Sequence, residues 1–235
     1  MQFQDYFHVF SEALATIYSK EESRILYRYF LEDFQERKVE NLASEFKKVT
    51  EELKKGKPYQ QILGYTEFYG NRFFVDENVL IPRPETEELL ELAINKIRDS
   101  RFEIRDFKIL DVGTGSGIIP ITLKKHFPDA EISAMDISEK ALEIAQKNAD
   151  FHETEIKFLQ ADYLNTNLTE KYDVIISNPP YIGIDENIEI EDSVKGFEPN
   201  IALFSPTSDA LIFYRKIAKD CENHLNENGL FFLEI

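Results

Sequence analysis

The chain has 235 residues, of which 43% are hydrophobic and 13% aromatic, so it can bury a core in one large domain or two small ones. Its one cysteine, Cys221, excludes an internal disulfide and a cysteine-rich zinc site. The formal net charge of −17 repels phosphate backbones and argues against direct binding to nucleic acid.

The start of the chain gives information about the cellular location of the protein. Residues 1–5 contain no basic side chain and do not resemble a signal peptide, and no apolar run is long enough to cross a membrane. The four histidines are scattered without ligand spacing, so no metal site is predicted. We expect a cytoplasmic monomer with no membrane partner.

Residues 1–64 are predicted to form a small helical domain. Apolar side chains recur at helical spacing. Three helices are expected, over residues 3–17, 20–36 and 41–55. Ser19 with Glu22 is typical of a capping box at the start of the second helix. Such a bundle usually packs against other elements or recognises a partner, and it seldom catalyses.

Residues 65–83 are predicted to form a hairpin linker. Gly70-Asn71 lies between two aromatic runs, which is typical of a hairpin turn. Pro84 suits the first position of a helix, and Pro82 and Pro84 hold Arg83 rigidly beside that helix start. We expect Arg83 to bind the substrate; the alternative is a linker that only caps the helix.

From Phe107 onward the chain alternates strands and helices. Strands are predicted at residues 107–112, 131–136, 156–159, 172–177 and 230–235, and helices at 118–127, 138–149 and 207–225. This alternation predicts an α/β domain over residues 84–235, with a Rossmann-like, parallel-rich sheet covered by helices on both faces. Ligands of such sheets bind beyond the carboxyl ends of the strands.

Polar residues at those strand ends predict a donor site. Gly113-Thr114-Gly115-Ser116-Gly117 forms a glycine loop whose spacing differs from the dinucleotide fingerprint and from a P-loop. Asp111 adds a carboxylate, which favours a ligand with a positive charge, so S-adenosylmethionine is the predicted cofactor. Asp136 can accept from ribose hydroxyls, Asp162 from the adenine amino group, and Tyr163 can stack on the adenine ring.

Asn178-Pro179-Pro180-Tyr181 follows the strand at 172–177 and predicts the acceptor site. Asparagine offers a side-chain oxygen as acceptor, the prolines have no N–H, and the tyrosine adds a flat face. The segment can accept two hydrogen bonds from a planar nitrogen, either an exocyclic base amine or a carboxamide. Direct displacement would follow, with Asn178 and the Pro179 carbonyl holding the nitrogen. The alternative is a proline turn that closes a strand.

Three motifs together resemble the PrmC/HemK family of S-adenosylmethionine-dependent methyltransferases. They are Ile81-Pro82-Arg83-Pro84-Glu85-Thr86-Glu87, Asp111-Val112-Gly113-Thr114-Gly115-Ser116-Gly117 and Asn178-Pro179-Pro180-Tyr181-Ile182. The resemblance implies a class I methyltransferase fold. It also implies methylation of the glutamine in the Gly-Gly-Gln loop of peptide-chain release factors, with S-adenosylhomocysteine as product.

The resemblance further implies roles for individual residues. Gly113 to Gly117, Asp136, Tyr163 and Asn178 would bind the donor, and Asn178 to Tyr181 would hold the glutamine. The helical domain would help to bind the release factor.

One departure concerns the end of the chain. The family continues past Glu234-Ile235 with a glycine and two further strands, so this chain is expected to lack C-terminal strands and to have five strands and an exposed edge.

Two alternatives stay open: an N-methyltransferase of DNA or RNA bases, and an inactive release-factor-binding module. The acidic segment 185–192 is hypothesised to contact basic residues near the target glutamine; the alternative is a solvated loop.

Overall fold

The computed structural model describes residues 3–100, 107–185 and 196–235. Most of the acidic segment, from residue 186 to 192, lies outside the described residues. The chain divides into two compact units. The first contains residues 3–64 with Gly196 and Phe197, and the second contains residues 65–185 and 198–235 among those described.

The first unit is helical. Its helices are α1 (Phe3–Leu14), α2 (Lys20–Glu36), α3 (Leu42–Lys54) and the short α4 (Tyr59–Leu63). The capping box at the start of α2 is confirmed, because the Ser19 hydroxyl accepts from the Glu22 N–H at 3.2 Å and the Glu22 carboxylate accepts from the Ser19 N–H at 2.7 Å. The core is largely aromatic, and the rings of Tyr27 and Phe46 stack with centroids 4.5 Å apart.

The second unit begins with the predicted hairpin. Strands β1 (Tyr65–Phe68) and β2 (Asn71–Phe74) pair antiparallel. The turn residues Tyr69 and Gly70 have φ values of 48° and 68°, which suits the primed turns that match the twist of a hairpin. Helix α5 (Pro84–Asp99) follows with Pro84 at its first position, as predicted.

The rest of the second unit is a five-stranded parallel sheet. The strands are β3 (Lys108–Val112), β4 (Glu131–Asp136), β5 (Lys157–Gln160), β6 (Tyr172–Ser177) and β7 (Leu225–Leu233). Their order is β5-β4-β3-β6-β7. The fully buried Ile109, Leu110, Val174 and Ile175 explain why these segments form central strands, because parallel strands covered on both faces need apolar side chains on both sides.

Among the described residues, further helices and a short 3-10 turn connect or cover the strands. They are α6 (Ile118–His126), α7 (Glu139–Phe151), the 3-10 turn Tyr163–Asn165, α8 (Asn200–Leu203) and α9 (Ile212–His224). The strand order reverses between β3 and β6, and ligands of open α/β sheets bind at this switch point. Within the described residues, no helix is both long and apolar enough to span a membrane.

Three predicted boundaries were wrong by three residues or more. Helix α1 ends at Leu14 rather than at residue 17. Helix α9 begins at Ile212 rather than at Thr207, because side chains take the backbone groups that a helix would use: Asp209 accepts from the Leu211 N–H and Thr207 accepts from the Asp209 N–H. Strand β7 begins at Leu225 rather than at Leu230, since the ladder with β6 shifts register between Tyr172 and Val174.

Candidate functional site

The glycine loop between β3 and α6 is tied to the next strand of the sheet. The N–H groups of Gly113 and Thr114 donate to the Met135 carbonyl at 2.9 and 3.0 Å. Gly117 has a φ of 81°, and a Cβ there would lie 3.1 Å from the Cβ of Ala145. Glycine is therefore required both by the turn and by the close approach of α7.

Asn148 links this loop to the hairpin. It is fully buried on α7. Its amide nitrogen donates to the carbonyl of Ser116 at 2.8 Å and to that of Phe74 at 3.0 Å, and its oxygen accepts from the Phe74 N–H at 2.7 Å. The hairpin thus supports the glycine loop through one side chain, a contact that the sequence does not predict because 74 positions separate the two residues.

Asp136 stands at the end of β4, beside the glycine loop. Its two carboxylate oxygens accept from the N–H groups of Gly115 and Ser138, each at 2.9 Å. Burial raises the pKa of Asp136, and these backbone hydrogen bonds oppose part of the rise. Each carboxylate oxygen has a further lone pair, so the group can still accept from a ligand.

Asp162 and Tyr163 follow β5. The Asp162 carboxylate caps the 3-10 turn, accepting from the Leu164 N–H at 3.1 Å and from the Asn165 side chain at 2.6 Å. The Tyr163 hydroxyl donates to Asp220 at 2.8 Å, and the Lys216 ammonium lies 4.8 Å from the centre of its ring. Burial and the neighbouring Asp220 carboxylate raise the pKa of Tyr163, which therefore stays neutral.

These strand ends surround a cavity of about 680 Å³. Seven residues of the predicted site line it: Gly113, Gly115, Asp136, Asp162, Tyr163, Asn178 and Pro180. Seven others do not: Arg83, Asp111, Thr114, Ser116, Gly117, Pro179 and Tyr181. The cavity size is typical of small-molecule sites.

Two lining segments were not predicted from the sequence. Asn78, Val79 and Leu80 form part of the wall, and so do residues 199–202 and 204–207. The first segment adjoins a motif noted above, because Leu80 precedes the Ile81-Pro82-Arg83 signature. That adjacency was the available signal for residues 78–80, and no comparable local signal marks residues 199–207.

Asp111 is the most unusual titratable group near the site. Its side chain is fully buried, and neither carboxylate oxygen has a hydrogen-bond partner among the described residues. Burial raises its pKa to about 7, the neighbouring Thr114 hydroxyl opposes part of the rise, and the nearby Asp136 charge adds to it. Its position on β3, next to Val112 in the cavity wall, leaves a carboxylate without a counter-charge beside the glycine loop.

The acceptor segment is held on both sides. β6 ends at Ser177, and Ile182 pairs with the segment after α8, donating to the Leu203 carbonyl at 3.3 Å and accepting from the Ser205 N–H at 2.7 Å. Pro179 is buried, Asn178 and Pro180 line the cavity, and Tyr181 is 49% exposed. The tyrosine face therefore lies outside the cavity, at the surface.

Two residues that the sequence did not assign to the site hold Asn178. The Asn178 side-chain nitrogen donates to the Thr86 hydroxyl at 3.2 Å, and that hydroxyl donates to the Glu234 carboxylate at 2.8 Å. Burial raises the pKa of Glu234, the Glu85 charge adds to this, and the hydrogen bonds from Thr86 and Asn178 oppose it.

Arg83 contacts protein rather than the cavity. Its guanidinium donates to Glu198 at 2.7 Å, and the other oxygen of that carboxylate accepts from the Ile81 N–H at 2.9 Å. The Glu198 side chain is 1% exposed. Substrate contact by Arg83 stays a prediction, while its visible role is to anchor the segment that begins at Glu198 and lines the cavity.

Replacing Arg83 with methionine is expected to lower the stability of the second unit. The buried Glu198 carboxylate would lose its counter-charge, which typically costs about 3 kcal/mol or more. For a unit of this size, that corresponds to a fall of about 6–12 °C in Tm. Arg215→Met is the matched control, because Arg215 forms a surface pair with Asp209 and such pairs contribute less than about 1 kcal/mol. Equal Tm values for the two variants by calorimetry would contradict the anchoring role.

The comparison with known proteins agrees with this geometry. A family profile described as "Methyltransferase small domain" matches residues 91–192. Proteins named "Release factor glutamine methyltransferase" are 41% identical in Flavobacterium psychrophilum, over 100% of this chain and 87% of that protein, and 43% identical in Lactococcus lactis, over 80% and 67%. The protein of that name in Bacteroides thetaiotaomicron is 44% identical over 78% of this chain and 64% of its own length.

The parallel sheet, with its cavity at the switch point between β3 and β6, is that of an α/β methyltransferase of the Rossmann-like class. Within this class, the chain belongs to the release factor glutamine methyltransferase family.

Proposed function

We propose that this protein transfers a methyl group from S-adenosylmethionine to the side-chain amide nitrogen of the glutamine in the Gly-Gly-Gln motif of peptide-chain release factors. The observation that carries the proposal is the placement of Asn178 in the wall of the same cavity as the glycine loop and Asp136. Membership of the family supports the choice of glutamine over other planar nitrogens.

The residues present fit S-adenosylmethionine. The cavity of about 680 Å³ is large enough for a nucleoside with an amino-acid tail. The unpaired, buried Asp111 carboxylate suits a ligand that carries positive charge. We propose that Gly113 to Gly117 and Asp111 hold the amino-acid end, Asp136 the ribose, and Asp162 with Tyr163 the adenine.

The cofactor supplies a methyl carbon that is electrophilic because it is bonded to a sulfonium. The work of the chain is to position the acceptor. An amide nitrogen is a poor nucleophile, since its lone pair is delocalised into the carbonyl. The Asn178 side-chain oxygen and the Pro179 carbonyl accept its two N–H hydrogens and orient the nitrogen.

Correct placement of two reactants can contribute about 7–11 kcal/mol to lowering the barrier. No strong base is required, because the N-methylated, protonated amide is very acidic. The nitrogen gains the methyl carbon, the carbon–sulfur bond breaks with its electron pair going to sulfur, and the nitrogen loses one proton to water. S-adenosylhomocysteine and a singly methylated glutamine are the products.

A transfer assay with competing acceptors tests the proposal. The protein is given S-adenosylmethionine with a labelled methyl group, together with a release factor, a peptide of its Gly-Gly-Gln loop, and RNA. We expect label on the glutamine of the release factor and less on the peptide. Label on RNA would favour a base methyltransferase, and donor binding without any transfer would favour an inactive binding module.

We also propose that the first unit, residues 1–64, recognises the release factor. Its described surface carries the large apolar side chains Val9, Ile17 and Ile25, which are 65%, 48% and 39% exposed. Changing all three to serine is expected to raise KM for the release factor roughly 10-fold, since buried apolar area would be lost from the complex. KM for the loop peptide should stay the same.

Leu92→Ser is the matched control for this change, because Leu92 is 51% exposed on α5 in the second unit. An unchanged KM for the release factor in the triple variant would show that these side chains are not part of the recognition surface.

A further inference from the structure

Three distant segments meet at Asn178. Thr86 lies in the first turn of α5, Asn178 follows β6, and Glu234 follows β7. Thr86 is 2% exposed. Glu234 is itself held by its backbone, since its N–H donates to the Ser177 carbonyl at 3.1 Å and its carbonyl accepts from the Tyr214 hydroxyl at 2.8 Å. The contact is therefore built from rigid elements.

The chemistry of the three groups gives their hydrogen bonds one direction. An ionised carboxylate can only accept, so the single hydrogen of the Thr86 hydroxyl goes to Glu234. The Thr86 oxygen can then only accept from Asn178. The Asn178 amide must therefore turn its NH₂ group towards Thr86 and its oxygen away from it. Among the described residues, no donor reaches that oxygen, and Asn178 lines the cavity.

We propose that Thr86 and Glu234 are positioning residues that set the amide of Asn178 with its oxygen available to the acceptor. The inference rests on the proposed function, because an amide acceptor needs an oxygen opposite its N–H groups. A reversed Asn178 would present its own NH₂ to the NH₂ of the glutamine, and neither group could accept. Without Thr86, the NH₂ group of Asn178 keeps, among the described residues, only its hydrogen bond to Glu234, so the reversed orientation becomes more accessible, and that orientation cannot hold the acceptor.

Thr86→Val tests this, since valine keeps the shape of the side chain and removes the hydroxyl. We expect kcat to fall about 10²-fold, as small misplacements of reacting groups do. KM for the release factor and the affinity for S-adenosylmethionine should change less than about twofold. Thr86→Ser restores the hydroxyl and should recover most of the lost kcat.

Thr122→Val is the matched control. Thr122 is also 2% exposed, and its hydroxyl has no hydrogen-bond partner among the described residues. Its kcat should stay within about twofold of the unchanged protein. A fall in kcat that is equal in Thr122→Val and Thr86→Val would overturn the inference, because it would show only a general effect of a buried Thr-to-Val change.

A second readout does not depend on activity. The side-chain NH₂ resonances of Asn178 can be assigned by NMR from their loss in Asn178→Ala. One of the two hydrogens should exchange slowly in the unchanged protein and in Thr86→Ser, and faster in Thr86→Val. Equal exchange in all three proteins would overturn the inference even if the methyl transfer assay succeeds.

The experiments distinguish a failure of the proposed function from a failure of the positioning role of Thr86. If the unchanged protein transfers no methyl group to the release factor, the proposed function is wrong, and NH₂ exchange still decides whether Thr86 sets the amide. If the unchanged protein is active and Thr86→Val keeps its kcat, only the positioning inference is wrong.

Discussion

Asn178→Ala is expected to reduce turnover by about 10³-fold or more while leaving the binding of S-adenosylmethionine nearly intact. In the proposed function, the side-chain oxygen of Asn178 accepts a hydrogen bond from the target amide, and removing a single such group from an active site typically costs 10²–10³ in kcat. Loss of orientation adds to this cost. Labelled methyl transfer measures kcat, and isothermal titration calorimetry measures donor affinity.

The matched control for Asn178 is Asn223→Ala. Asn223 is exposed on α9, where its amide donates to the Lys219 carbonyl and to no other group among the described residues, so its loss should leave both readouts unchanged. Turnover of Asn178→Ala within a few-fold of the unchanged protein would show that this side chain does not hold the acceptor. A loss of donor affinity as large as the loss of kcat would instead assign Asn178 mainly to the donor.

Asp111→Asn is expected to change how the stability of the second unit depends on pH. The folded state holds the pKa of Asp111 at about 7, against 3.8 for an unperturbed group. Between these values the folded state binds a proton that the unfolded state has lost, so the free energy of unfolding falls as pH rises. This loss of folding stability is complete above about pH 7 and amounts to at most on the order of 4 kcal/mol.

Asparagine cannot ionise, so the variant avoids this penalty. Its Tm relative to the unchanged protein should rise by roughly 10 °C between pH 5 and pH 8. Asp129→Asn, at an exposed position in the loop before β4, should show no such trend. If the Tm values of Asp111→Asn and the unchanged protein run parallel over this range, the buried carboxylate does not ionise within it.

The same variant tests the proposed role of Asp111 towards the donor. A carboxylate next to the positive charge of S-adenosylmethionine favours binding once it is ionised. Donor affinity of the unchanged protein should therefore rise from pH 6 to pH 8, and that of Asp111→Asn should be weaker and flat. Equal affinities of the two proteins for S-adenosylmethionine would show that Asp111 does not act on the donor. The expected effect on stability would stay the same. A gain in stability and a loss of binding from one change would show that the buried charge is kept for function.

Features with short-range signals were predicted well. The Ser19–Glu22 capping box, Pro84 at the first position of α5, and the hairpin at Gly70 each depend on residues within a few positions of one another. The strands were found because fully buried parallel strands are continuous apolar runs. Predicted helix boundaries were wrong where a side chain takes a backbone hydrogen bond that the helix would use, as Asp209 does before α9.

Features of the site that depend on distant contacts were not predicted. The pairing of Arg83 with Glu198, 115 positions away, was not predicted, and substrate contact by Arg83 stays a prediction. Thr86 was part of a recognised signature, yet its partner Glu234 lies 148 positions further on. Nothing local to either residue indicates the pairing, because chain separation carries no information about which side chains meet when the sheet closes.

By itself, the sequence determined that polar residues follow the strands of a parallel sheet, and hence that they gather at one edge, because parallel strands end on the same side. It therefore located the glycine loop, Asp136 and Asn178 together. Only the tertiary structure decided which of these side chains reach the cavity, why Asp111 is buried without a partner, and which way the Asn178 amide faces. Those properties depend on hydrogen-bond partners and burial that neighbouring elements supply, and a linear pattern does not specify them.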